Sequence, residues 1–414
     1  MNVRRSAAVL AATAVIGAAA PAAADPSPSP SAVLPSGQYG PADPTYDGVW
    51  RQSLALLAQH TVGVRPAPKA VDWLLRQQCA NGAFAPFRAD AAKPCDAKTM
   101  VDTNNTAAAV QALTALGGHD AAAGKAVDWL KSVQNEDGGW GYAPGGASDT
   151  NSTSVVVGAL AAAGEKPADV VKGGKSPYDA LLGLALPCEG EDGGAFAFQP
   201  DKKGELAANA DATAAGVLGA LGKGLVVEVG EKTGTAAKTS CADTGRATPE
   251  RAAANGVAYL TKSLAGKGHL TLAGAGGPDF GNTADAVVAL AAYGATDRAG
   301  TSLDWLRKNS AAWAKQSGPA AYAQLILASH ATGADPRDFG GRNLVEQLNA
   351  TGPAPRSGTA AEDGGKDQKD EKDQKDEQKD DSSPFGVWWY VGVCLIVGIG
   401  FGFLLSGRNR KQQP

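Results

Sequence analysis

The chain has 414 residues, a formal net charge of −4 and a pI near 5.7, so its balance does not indicate a polyanionic partner. Lys and Arg are scattered rather than striped, which excludes nucleic acid. Hydrophobic residues make up 43%, enough for one large or two ordinary cores, and 53 glycines with long alanine runs point to closely packed helices.

Residues 1–24 read as a secretory signal peptide. Arg4 and Arg5 form the charged start, 7–20 the apolar stretch, and Ala22-Ala23-Ala24 an A-x-A cleavage site. The Pro/Ser segment over 25–45 has little to bury and is predicted to be a flexible lead.

From 46 to 350 two kinds of helix alternate. The outer kind is amphipathic, as in KAVDWLLRQQ (69–78) and KAVDWLKSVQ (125–134), where Val71, Leu74, Leu75 and Gln78 follow one-sided spacing. The inner kind carries no charge from Thr106 to Gly117, nor from Thr153 to Gly164, and a helix without a polar face is buried all round. Inner helices are expected near 46–60, 102–117, 150–164, 206–222, 281–294 and 318–333, and outer ones near 68–79, 121–134, 176–187, 250–264, 297–310 and 336–349. Six alternating pairs suggest a closed ring, because an open stack must cap its ends. The stretch 223–234 is a candidate hairpin.

Aligned on their closing glycines, the inner helices bring Asn104, Asn151 and Asn209 into one column, and Thr106, Thr153, Asp211 and Thr283 into another. Such residues cap the free N–H groups of a helix start. Asp102-Thr103-Asn104 and Asp149-Thr150-Asn151 supply more polar groups than a cap needs, however. Together with Asn209, Asp211 and Asn282 they would form a rim of acceptors and amides suited to a neutral, amide-rich ligand. The four histidines, His60, His119, His269 and His330, lack triad or metal spacing.

Cys394 lies in an apolar C-terminal stretch; Cys79, Cys95, Cys188 and Cys241 allow three pairings. Neighbouring cysteines each bracket one loop after an outer helix, favouring Cys79–Cys95 and Cys188–Cys241. No Cys-x-x-Cys spacing supports a metal site. Residues 351–384 mix both charges and read as a solvated tether. The uncharged 385–406 is long enough to cross a bilayer, with Arg408, Arg410 and Lys411 in a basic cytoplasmic tail over 407–414.

Gln134, Gly138 and Trp140, and again Gln78, Gly82 and Phe84, fit a Q-x-x-x-G-x-W/F repeat. The chain thereby resembles the terpenoid cyclase and protein prenyltransferase superfamily, which implies an all-α, (α/α)6 toroid of six inner and six outer helices over 46–350. Its enzymes' motifs are not matched. The helical region has no Asp-x-Asp-Asp acid motif, and Cys241-Ala-Asp243 reverses the order of a prenyltransferase zinc site. Val101-Asp102-Thr103 is similar to the inner-helix turns of cobalamin carriers of the intrinsic factor and transcobalamin group. That resemblance implies non-catalytic capture of a corrinoid for an uptake transporter, by an exported toroid held on one C-terminal transmembrane helix. The alternative from another class is a prenyltransferase or triterpene-cyclase-like enzyme acting on a polyisoprenoid.

Overall fold

The computed structural model describes residues 36–40, 44–229, 240–243, 247–272, 274 and 276–357. Inner helices are α1 (Gly48–Thr61), α3 (Thr103–Leu116), α5 (Thr150–Ala162), α7 (Ala210–Ala220), α9 (Phe280–Tyr293) and α12 (Pro319–Ala331). Outer helices are α2 (Pro68–Arg76), α4 (Asp120–Ser132), α6 (Pro177–Gly183), α8 (Pro249–Leu264), α10 (Thr296–Asn309) and α13 (Leu344–Asn349). Each inner helix packs on the next in the order α1, α3, α5, α7, α9, α12, and α12 packs back on α1, so the ring closes. One unexpected short helix, α11 (Ala311–Ser317), bridges α10 and α12.

A local device recurs at five of the six steps. A glycine two residues before a buried side chain (Tyr39, Phe84, Trp140, Phe196 and Leu270) presses on the backbone or Cβ of a nearby outer helix or its cap. The N–H of that buried residue then reaches the next inner helix. Phe84, Trp140, Phe196 and Leu270 donate to the hydroxyls of Thr106, Thr153, Thr213 and Thr283 at 2.9–3.0 Å. Tyr39 donates instead to Gln52 Oε1 at 3.0 Å. Gln78 and Gln134 staple the turn, donating both to the carbonyl of Gly82 or Gly138 and to one near the next outer helix (Ala122 or Val170).

Several expectations change. The stretch read as a flexible lead contributes a packed turn: the Tyr39 hydroxyl donates to Gln59 at 2.8 Å, and Gly40 N–H donates to Thr351 O at 2.7 Å. No strand forms over 223–229; the short pairings are Phe196–Ala197 with Ala208–Asn209, and Leu270–Thr271 with Pro278–Asp279. The membrane anchor is not upheld. Among the described residues no helix is long and apolar enough to cross a membrane. The expected leader over 1–24, the span over 385–406 and the basic tail lie outside the described residues, as does the tether from 358. Single-pass localisation and the transporter partnership built on it are therefore withdrawn.

Disulfides join Cys79 to Cys95 and Cys188 to Cys241, at sequence separations of 16 and 53. On a chain-entropy estimate they contribute roughly 3 and 4 kcal/mol. Paired Cys→Ser replacement of the longer loop should therefore lower the urea midpoint more than that of the shorter one; the reverse order would mean that native strain, not loop length, decides.

Candidate functional site

The caps set the register. The side chains of Asp102, Asp149, Asn209 and Asp279 accept from the N–H groups of Asn105, Ser152, Ala212 and Asn282 at 2.6–3.1 Å. Asp102 and Asp149 are fully enclosed, and desolvation pushes both carboxyls up to about 6. Thr103 and Thr150 stitch neighbouring turns, donating their N–H groups to Tyr142 O and Phe198 O. The Asn282 amide donates to Asp279 Oδ2 at 2.8 Å. Most of the expected rim is thus committed to holding helix starts.

Two residues beyond each cap the direction changes. That position holds Asn104, Asn151, Asp211 and Gly281. On α7 the half-exposed residues Asp211, Ala215 and Leu218 share one face, opposite Thr213 and Val217, which lie against Gly256 of α8. Their face therefore looks into the hollow of the ring. The corresponding positions bring Asn151 and Val155, Gly281 and Asp285, and Gln324 to the same wall.

The six inner helices carry two acids, Asp211 and Asp285. Asn151 Nδ2 donates to Asp211 Oδ2 at 2.8 Å, while Gln324 Nε2 reaches both oxygens of Asp285 at 3.2–3.3 Å. Desolvation pushes Asp211 up to about 6, with the charges of Asp279 and Asp149 adding to it. Desolvation, then the charge on Asp211, pushes Asp285 to about 7. The negative charge of Asp211 disfavours ionisation of Asp285, so Asp285 is the carboxyl that keeps its proton to higher pH. Both retain partial solvent contact although protein surrounds them, as wall residues of a cavity do. Next to Gly281, Phe280 stacks on Trp305 of the outer helix α10 and on Trp313, at 5.2 and 5.6 Å. A side chain added at Gly281 would meet both Trp313 and Gln324. The Oδ1 atoms of Asn104 and Asn151 are buried without a protein partner.

Two other places offer less. A surface cavity of about 700 Å³ lies beside α6, lined by Asn135, Asp137, Ser148 and Lys175 among others. Several of its polar atoms bond each other: Ser148 Oγ donates to Asp137 at 2.7 Å and accepts from Asn135 at 2.9 Å. Among the described residues, Cys188, Cys241 and Asp243 alone approach metal-like spacing, but the sulfurs are bonded to each other. A disulfide supplies no thiolate.

A family model described as "Prenyltransferase alpha-alpha toroid domain" matches residues 49–210. The fold is an α/α toroid, the architecture that this family model describes over 49–210. No curated protein matches the chain. Among solved structures the toroid is similar to an ent-copalyl diphosphate synthase from Streptomyces platensis, at 16% identity and TM-score 0.46, covering 69% of this chain and 50% of that one. It thus spans half the length of that protein. It is also similar to a protein from Actinoplanes (16% identity, TM-score 0.43, 72% and 80% covered). A third is a type II terpene cyclase from Scytonema in complex with geranylgeranyl dihydroxybenzoate (13% identity, TM-score 0.37, 73% of each chain).

These findings leave no tie to the cobalamin carriers, and corrinoid capture by a membrane-held receptor is withdrawn. Asp102, Asp149 and Asn209 of its expected rim act as helix caps. The sequence reading missed Asp285 and Gln324. The signal for Asp285 was available, since an acid inside an otherwise uncharged inner helix of a toroid faces either core or hollow.

Proposed function

We propose that this toroid is an enzyme of the terpenoid cyclase kind, acting on a polyisoprenoid, with Asp285 as the proton donor. The observation that carries the reading is the Asp211–Asp285 pair on the inward face of α7 and α9, with Asp211 held by Asn151 and Asp285 by Gln324. The family match over 49–210 supports the superfamily and says nothing of the substrate.

An alkene is a weak base, so its protonation needs a carboxylic acid that is still protonated at working pH. Burial and the neighbouring Asp211 supply that condition. In the first step the Asp285 proton forms a C–H bond with the alkene π electrons. A tertiary carbocation and the Asp285 carboxylate result. Attack by the next double bond closes a ring, and loss of a proton to a base ends the sequence. The Trp313 ring beside Gly281 provides an apolar face with negative potential at this wall. The acid thus comes from two helices, which accounts for a toroid without a local Asp-x-Asp-Asp motif.

Purified protein incubated with squalene and with polyprenyl alcohols and diphosphates should yield cyclic products, identified by gas chromatography and mass spectrometry. Intact recovery of every substrate at pH 6 would overturn the reading.

A further inference from the structure

The hollow is not a through-hole. Residues 223–229 leave the end of α7 and run beneath the ring, and three contacts trace their course. Leu225 N–H donates to Gln111 Oε1 of α3 at 2.8 Å. Gly158 of α5 lies so close to Gly224 that an added Cβ would stand 2.6 Å from the Gly224 Cα. Glu228 meets His330 of α12 at 3.2 Å, and Val229 lies against Gly333 just beyond that helix. In the ring order α5 and α12 stand opposite each other, so the segment crosses the opening.

Gln111 and Gly158 are also both nine residues past their caps, two turns along the same inward face that carries Asn104 and Asn151. Residues 224–227 of this strap therefore lie in the lower end of the hollow, while Glu228 and Val229 reach α12 at its exposed rim. Val227 is buried in the core, with Leu225 and Val226 packed partly against it. The Gln111 amide holds it in place, also donating to Val155 O at 3.2 Å.

We infer that the strap is the floor of a blind pocket, and that Leu225 and Val227 set how long an apolar chain the pocket accepts. The substrate class named above gives this its meaning, so the inference rests on that reading. Asp285 and Gln324 lie six residues past their caps and Gln111 and Gly158 nine, so at 1.5 Å per residue the acid stands about 5 Å above the floor. That is about the length of one isoprene unit. A polyisoprenoid inserted tail-first would rest its terminal unit on Leu225 and Val227 and offer its last double bond to Asp285.

The experiment measures binding of geraniol, farnesol, geranylgeraniol and longer polyprenols to the purified protein, by quenching of tryptophan fluorescence. In the wild type, affinity should climb with each isoprene unit and then level off. The Leu225→Ala/Val227→Ala variant should move the plateau one unit longer, with at least a tenfold gain for the next alcohol. Leu225→Trp should move it one unit shorter. Where the double variant melts early, Val227→Ala alone is read against Leu225→Trp. An unchanged length preference in these variants overturns the inference, as does failure of every alcohol to bind. Binding with the expected shifts but without turnover would sink the proposed reaction and leave the floor. Turnover with an unchanged length preference would do the opposite.

Discussion

Asp285→Asn is expected to cut cyclisation by two to four orders of magnitude and, at pH 8, to make the protein more stable. Both effects come from one fact: the carboxyl is raised from its ordinary 3.8 to about 7, first by burial and then by the charge on Asp211. The folded state holds that proton through a window, roughly pH 4 to 7, in which the unfolded chain has released it. Stability from this group is therefore complete below pH 4 and is lost as pH rises through 7. Asp102, Asp149 and Asp211, each raised to about 6, share the sign, so the wild type should melt lower at pH 8 than at pH 5. An asparagine has no proton to lose. At pH 8 it should recover about 2 kcal/mol, some half of what the full shift implies, because the carboxyl keeps partial solvent contact. Asp211→Asn is a companion test. Removing the like charge lowers the pKa of Asp285, so the alkaline limb of the rate profile should move to lower pH. If Asp285→Asn melts lower than wild type at pH 8, or keeps its turnover, the carboxyl is structural and the proposed acid is wrong.

The ring was legible because charge was missing where a surface helix would need it. The uncharged run within 103–116 and its counterpart in 150–162 could only be interior, and both are. The register of α7 was not legible. Cap to closing glycine spans fifteen residues in α3, α5 and α9 (Asp102 to Gly117, Asp149 to Gly164, Asp279 to Gly294), but thirteen in α7 (Asn209 to Gly222). Alignment on the glycine therefore slid α7 by two residues, setting Asp211 beside Thr106 when its structural equivalents are Asn104 and Asn151. A glycine after a helix is constrained only by its own turn, whereas the cap is tied to the repeat by the threonine four residues on. The floor was hidden for a different reason. Residues 223–229 have the alternation of a strand and form none, and a segment held by Gln111 from another helix leaves no local signature.

Gly138→Ala is expected to prevent stable folding, and Gly145→Ala, seven residues away, to be tolerated. Both glycines have positive φ, +86° and +75°, so both alanines would bear the left-handed penalty of about 1–2 kcal/mol. Their surroundings differ. A Cβ at Gly145 would meet nothing within 4 Å, whereas one at Gly138 would stand 2.3 Å from Ser176 O and 2.8 Å from Lys175 O. These are backbone atoms at the start of α6, where Ser176 forms a capping box with Asp179, and they cannot swing aside as a side chain can. Moving Gly138 instead would break the Gln134 bond to its carbonyl at 2.8 Å. It would also drag Trp140, whose indole donates to Leu130 O at 2.7 Å and whose N–H donates to Thr153 at 3.0 Å. With the clash, the strained φ and loss of that packing together, the cost should reach about 4–6 kcal/mol, comparable with the whole stability of an ordinary domain. Urea unfolding of the two variants is the measurement. A Gly138→Ala midpoint within about 1 kcal/mol of the Gly145→Ala value would show that the turn can yield. In that case the close approach is not what ties outer helix to outer helix around the ring.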